Sequence, residues 1–308
     1  IIPKMKKSRS SILILIILFI AFSCKNTGNK RSEFVFPEED SIPRQEAENL
    51  SQEAIDDIVQ NIGSPVEIAS LLINLEVPFI AEHLASIDEA EDLSTNFQKA
   101  LRLGIYGADL GYLNIYEKTG TAVETLTIIN KLADGLRVGQ FFDFETLKNL
   151  AINRRNIDSL LFLSVHSYNE IDAYLRENNR GHLSALMITG VWLEAQYLAC
   201  RVVEQYPHMD LKNRIGEQKI IINDLLMLLR PYNESSDEYR DLYNDIEALK
   251  REYSEVNISY TPGVPETMEK DGRLIVIQKE ESTVEFSDDV LEKIVEKTEE
   301  IRNKIVSL

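Results

Sequence analysis

Apolar positions recur at helical spacing along most of this chain. From Glu46 onward, apolar residues fall three and four apart, the 3.6-residue pattern of amphipathic helices. Ser64-Pro65-Val66-Glu67 supplies a capping serine, a proline at the first helical position and a glutamate at the third. A helix is therefore predicted from there to about Ala85, bent at Pro78. The next 128 residues, Phe79 to Tyr206, lack proline entirely. They divide into helices predicted at 94–118, 121–142, 144–178 and 182–206. Thr121-Ala122-Val123-Glu124 forms a second capping box, and Gly120 and Gly181 punctuate the joins. Helices at 210–230, ended by Pro231, and at 236–255 follow. Seven or eight helices with short connections make an all-α fold, an antiparallel multi-helix bundle or array over 46–256.

The pattern changes over 257–308. Pro262, Gly263 and Pro265 break the helical period, and Arg273–Gln278 and Thr283–Phe286 read as two strands joined by Lys279–Ser282. After Ser287, Val290, Leu291, Ile294, Val295, Thr298, Ile301 and Ile305 form one stripe of an amphipathic helix. This ββα appendage is too small to be stable alone and is expected to pack on the bundle. Its helix is also a candidate partner-binding element.

The N-terminus has a different character. Lys4, Lys6, Lys7 and Arg9 precede an unbroken apolar run from Ile12 to Phe22. Eleven helical residues span only about 16 Å, short of a hydrocarbon core of about 30 Å. A cationic start and a short apolar core read as an export signal over 1–23. The run ends in Ala21-Phe22-Ser23-Cys24, which resembles the lipobox of bacterial lipoproteins. That resemblance implies cleavage before Cys24, lipidation of its thiol and amine, and anchoring of the mature chain to a membrane. Two or three acyl chains exceed what stable anchoring needs. An ordinary secretory signal beside a chance cysteine is the alternative. Residues 24–45 read as a flexible tether with a root-mean-square reach of roughly 25 Å. Within it, Asp40-Ser41-Ile42 resembles the O-glycosylation motif of exported Bacteroidetes proteins. Lys25, Asn26 and Lys30 stand where surface lipoproteins of that phylum carry acids. The resemblance therefore implies the cell envelope, at the periplasmic face of the outer membrane.

Charge sharpens this division. The whole chain has 33 basic and 51 acidic side chains, a net charge of −18. Residues 1–23 hold four of the positive charges and none of the negative, so the mature part stands at −18 − 4 = −22. Such acidity argues against a nucleic-acid partner, which requires a basic footprint. Gly and Pro together number 13 + 9 = 22, about 7% where roughly 12% is usual, in keeping with long helices. With Cys24 lipidated, Cys200 is the one remaining thiol and no intramolecular disulfide can form. Its apolar surroundings predict a buried, inert group.

The chain carries no GxGxxG, P-loop, GxSxG, HExxH or CxxC, so no cofactor and no metal is expected, and the chain reads as a non-enzyme. The residues three before its histidines are Ile80, Leu163, Asn179 and Gln205, none acidic, which argues against a di-iron bundle. His166 and Glu170 read as a surface pair. Arg154-Arg155 read as a solvated face or as partners of a buried acid.

Two isolated carboxyls are the strongest positive signal. Asp109 is the sole charge between Arg102 and Glu117, and Glu194 the sole charge between His182 and Arg201, each in a nearly all-apolar helix. A buried carboxylate must find a donor, a cation or a proton. One reading has both acids facing a shared cavity with Tyr106, Tyr112, Trp192 and Tyr197, holding a cationic ligand. The other has each acid bonded to a tyrosine or arginine of a neighbouring helix, fixing packing. Gly104, Gly107 and Gly111 lie at helical spacing on one helix, which points to close approach of a crossing helix. Gly104-Ile105-Tyr106 and Tyr112-Leu113 faintly echo Gly190-Val191-Trp192 and Tyr197-Leu198. These readings lead to three functional expectations: a lipid-anchored interaction or scaffold module with an envelope protein partner, a periplasmic bundle that binds or senses a small cationic ligand through Asp109 and Glu194, or an enzyme of an unfamiliar helical class.

Overall fold

A computed structural model describes residues 71–152, 157–262, 266–270, 273–277 and 280–307. The lipobox-like segment with Cys24, the expected tether, the expected helix start at Ser64–Glu67 and Arg154-Arg155 lie outside them. Among the described residues the chain forms α1 (Asn96–Ile115), α2 (Thr119–Gly135), α3 (Phe144–Ile152), α4 (Ile157–Glu177), α5 (Gly181–Gln205), α6 (Met209–Leu229) and α7 (Asp237–Glu252). Strands β1 (Asn257–Pro262), β2 (Glu266–Lys270), β3 (Arg273–Ile277) and β4 (Glu280–Glu285) then lead to α8 (Asp288–Val306). This is the expected all-α array with a small C-terminal appendage.

α5 is the centre of the array. Its composition and length would suit a membrane span, but 94% of its most apolar stretch is buried inside the protein. α1, α4, α6 and α8 pack around it, α2 covers α1, and α7 joins α6 to α8. The burial of apolar side chains on all faces of α5 follows from its near-absence of charge.

Helix ends deviate from the sequence reading in a uniform way. The helix that includes residues 71–74 stops there and does not continue to Ala85. Val77 precedes Pro78 and is steered away from helical dihedrals, so the turn is made before the proline. Glu76 takes a left-handed φ of 55°, and Val77 N–H donates back to Leu72 O at 2.9 Å. The same cap recurs at Glu117, Arg137 and Asn179, where Lys118, Val138 and Arg180 donate five residues back. These caps fall on non-glycine residues, so Gly120 and Gly181 do not mark them. The Thr121–Glu124 capping box is likewise not used, since α2 begins at Thr119. A capping box is present instead at Thr95 and Gln98, opening α1. The single helix expected over 144–178 comprises two described stretches, α3 and α4.

Among its described residues the appendage holds four strands where two were expected. β1 pairs antiparallel with β4 and β2 with β3, so β3 and β4 each pair with an earlier strand and not with one another. The β2–β3 pairing runs from Glu266 opposite Ile277 to Lys270 opposite Arg273. Val284 and Phe286 lie over Gly216 of α6, and α8 buries its apolar stripe against α5 and α7.

Candidate functional site

α1 and α5 meet backbone to backbone at Gly104 and Gly190. A Cβ at Gly104 would overlap the Met187 carbonyl oxygen, and one at Gly190 would overlap that of Leu101. The two faintly similar segments of the sequence are therefore packed on each other. Gly107 is exposed, and a Cβ there would come no nearer than 4.0 Å to Val191 Cγ2, so the close approach rests on Gly104. From this contact the helices run in the same sense to Asp109, five residues on, and Glu194, four residues on. The two carboxyl groups come within hydrogen-bonding reach of one another.

A stripe on α1 clasps the irregular segment that precedes it. Tyr116 Oη donates to Val77 O at 2.9 Å, and Tyr106 Oη donates to Ser86 O at 2.7 Å. Tyr112 Oη accepts from Ile80 N–H at 3.2 Å, and Asp109 Oδ2 accepts from Ala85 N–H at 3.1 Å. Residues 106, 109, 112 and 116 share one helix face, so a single α1 stripe supplies partners to a non-helical strap. The strap needs them, because Val77, His83 and Ala85 are buried and unpaired backbone groups there are costly.

Arg302 of α8 completes the site. Its Nε donates to Glu194 Oε2 at 3.0 Å and its Nη2 to Oε1 at 2.8 Å, a bidentate ion pair between residues 108 apart in sequence. Its guanidinium carbon lies 4.4 Å from the centre of the Tyr197 ring, and Nη2 also reaches His83 O at 3.5 Å. Glu194 is 0% exposed, Asp109 2% and Arg302 6%, so the pair is closed to bulk water. Burial works against the Arg302 charge, but Glu194 outweighs it and holds the guanidinium more firmly protonated. Burial, and then the neighbouring Glu194 charge, push the Asp109 carboxyl well above the usual carboxylate range. The Ala85 N–H and Arg302 oppose that shift.

The structure thus gathers Asp109, Glu194 and Tyr197 around a cation that belongs to the chain itself. Tyr106 and Tyr112 flank the pair but spend their hydroxyls on the strap. Trp192 points elsewhere, its Nε1 donating to Gln218 Oε1 of α6 at 2.8 Å. The residue missed in the sequence is Arg302. It lies four residues after Thr298 and three before Ile305, on the buried stripe of α8, where a lone arginine signals a buried partner. His83 is buried in the strap, with burial and then Arg201 lowering its basicity.

Other candidates resolve simply. His166 Nε2 lies 3.8 Å from Glu170 Oε1 and both are exposed, the expected surface pair. Burial pushes the Cys200 thiol up to about 12, which keeps it a poor nucleophile. A groove of about 400 Å³ between α6 and α7 is lined by Lys219, Asn223, Glu247, Lys250, Arg251 and Ser254. Its Lys219 ammonium is already bonded to the Ser254 and Val256 carbonyls, and Arg251 pairs with Glu247. Among the described residues no group of three or more His, Cys, Asp or Glu side chains is arranged to hold a metal ion. Compared with protein-family models, curated proteins and solved structures, the chain matches none.

Proposed function

We propose that this protein is a lipid-anchored helical module of the cell envelope, working by interaction or scaffolding and not by catalysis. The observation that favours this reading over a cation-binding bundle is the bidentate Arg302–Glu194 pair. The acid best suited to an external cation already holds an internal one, and Tyr106 and Tyr112 spend their hydroxyls on the strap. The polar interior then serves to fix one arrangement of α1, α5, α8 and the strap. The acidic mature chain is left to act through its surface. The lipobox-like segment at Cys24 supplies the membrane attachment in this reading.

The test joins fractionation to co-purification. The wild-type protein is expected in the membrane fraction with a stoichiometric protein partner, and Cys24→Ser in the soluble fraction. Membrane association that survives Cys24→Ser overturns the anchor. A chain recovered alone, whose melting rises with a small cationic ligand, overturns the interaction reading in favour of a binding bundle.

A further inference from the structure

Asp109 Oδ1 is buried and has no donor, while Oδ2 takes the Ala85 N–H. Its neighbour within reach is Glu194, whose two oxygens both accept from Arg302. Two ionised carboxylates offer each other only acceptors, so a hydrogen bond between them requires a proton on one. Glu194 is the member engaged by the guanidinium. We propose that Asp109 is a proton-binding site built into the α1–α5 crossing: it carries the proton, donates it from Oδ1 to Glu194, and the docking of α8 depends on it.

Charge balance supports the assignment. Two carboxylates against one guanidinium would leave a net negative charge in a volume closed to water, whereas one proton makes the cluster neutral. Among the described residues, Arg302 is the cation that acts on Asp109. Arg201 of α5 is paired with Glu299 of α8 at 3.0 Å and with Glu204 at 2.8 Å. The strap contributes exposed Glu82 and His83, whose ring is neutral at and above neutral pH because burial and Arg201 lower its basicity. Tyr197 offers its ring face to Arg302.

When the proton leaves Asp109 for a solvent base, a second carboxylate faces Glu194 and competes for Arg302. Admitting water relieves that repulsion, and the way in is to lift Arg302 and with it α8. The proton binds more tightly in the docked state than in the opened one. Docking is therefore complete at low pH and weakens as pH rises through the docked-state value. An ordinary Glu–Arg pair has the opposite sign, since it is lost on acidification.

Hydrogen exchange on the full chain, read by mass spectrometry from about pH 5 to about pH 9 and corrected for intrinsic exchange, tests this. The α8 amides of the wild type are expected to open about tenfold more per pH unit as pH rises from the opened-state value of Asp109 toward its docked-state value, and to level off above it, with α2 unchanged. Asp109→Asn mimics the protonated acid, since its amide donates to Glu194 and its oxygen still accepts from Ala85. Its α8 exchange should be flat with pH. Parallel profiles for wild type and Asp109→Asn overturn the proposal. If Asp109→Asn does not fold, infrared spectra of the wild type decide. A protonated-carboxyl stretch at neutral pH that disappears where the rise in α8 opening levels off supports it. Absence of that band at neutral pH, or its loss without any opening of α8, overturns it.

Discussion

Asp172 and Asp109 are both buried aspartates on helices packed against α5, and the chain satisfies them by opposite routes. Asp172 on α4 is served locally: Arg176, one turn later, donates Nε to both its oxygens at 2.9 Å, and Ser184 donates from the start of α5. Ser184 in turn bonds Tyr168 at 2.9 Å. Asp109 has no cation on its own helix within a turn. It relies on the strap for one hydrogen bond, on α5 for its acidic neighbour, and on α8 for the guanidinium that neutralises the pair. A carboxylate with an arginine at i+4 can be satisfied as soon as its helix forms. One that waits for a residue nearly two hundred positions later is satisfied only when the whole array closes, which makes it a register mark for the tertiary structure.

That contrast can be broken most severely at Arg302. Arg302→Ala leaves Glu194 buried beside Asp109 without its cation and is expected to cost about 3–5 kcal/mol in chemical denaturation. Arg302→Lys should recover little, because an ammonium cannot reproduce the fork or lie flat on Tyr197. Next comes the crossing that brings the acids together. Gly104→Ala forces a Cβ into the Met187 carbonyl and should cost about 3 kcal/mol, whereas Gly107→Ala, with open space around it, should stabilise by up to about 1 kcal/mol. The local pair is expected to be cheaper to disturb. Arg176→Ala should cost about 1–2 kcal/mol, since Asp172 keeps its Ser184 hydrogen bond and the Arg176 side chain is already 21% exposed.

The smallest effect is also the most diagnostic. Asp109→Asn should melt at nearly the same temperature as the wild type in acid and progressively higher than it as pH rises. The sign follows from a folded-state proton affinity raised above the unfolded value near 3.9. The proton's contribution to wild-type stability is complete below that value and is lost as pH rises through the folded one. Asp172→Asn should show no such gain, because it removes a charge that Arg176 needs. Equal pH profiles for the two asparagine variants would erase the distinction between the aspartates.

Much of the site was legible from charge isolation alone. Asp109 and Glu194 stood out because an uninterrupted apolar helix predicts burial for any acid within it, and burial demands a partner. Gly104 was legible for a related reason, since a helix interior tolerates glycine poorly unless something comes close. Arg302 was harder to read. Its helix is rich in charge, and only its place on the stripe with Val295, Thr298 and Ile305 distinguishes it from exposed neighbours. The roles of Tyr106 and Tyr112 were hidden because their partners are backbone atoms of a strap that the helical pattern had read as helix.

The sequence by itself determined the helices, the acidic body, the glycine contact and the identity of the two buried acids, because each depends on local spacing or composition. It also carries the lipobox-like segment at Cys24 on which the proposed envelope reading rests. Only the tertiary structure decided what those acids face. Partner choice depends on which helices come to lie side by side, and that is set by the packing of the whole array around α5. The same closure turns two acids and a distant arginine into a single buried cluster whose charge balances with one proton.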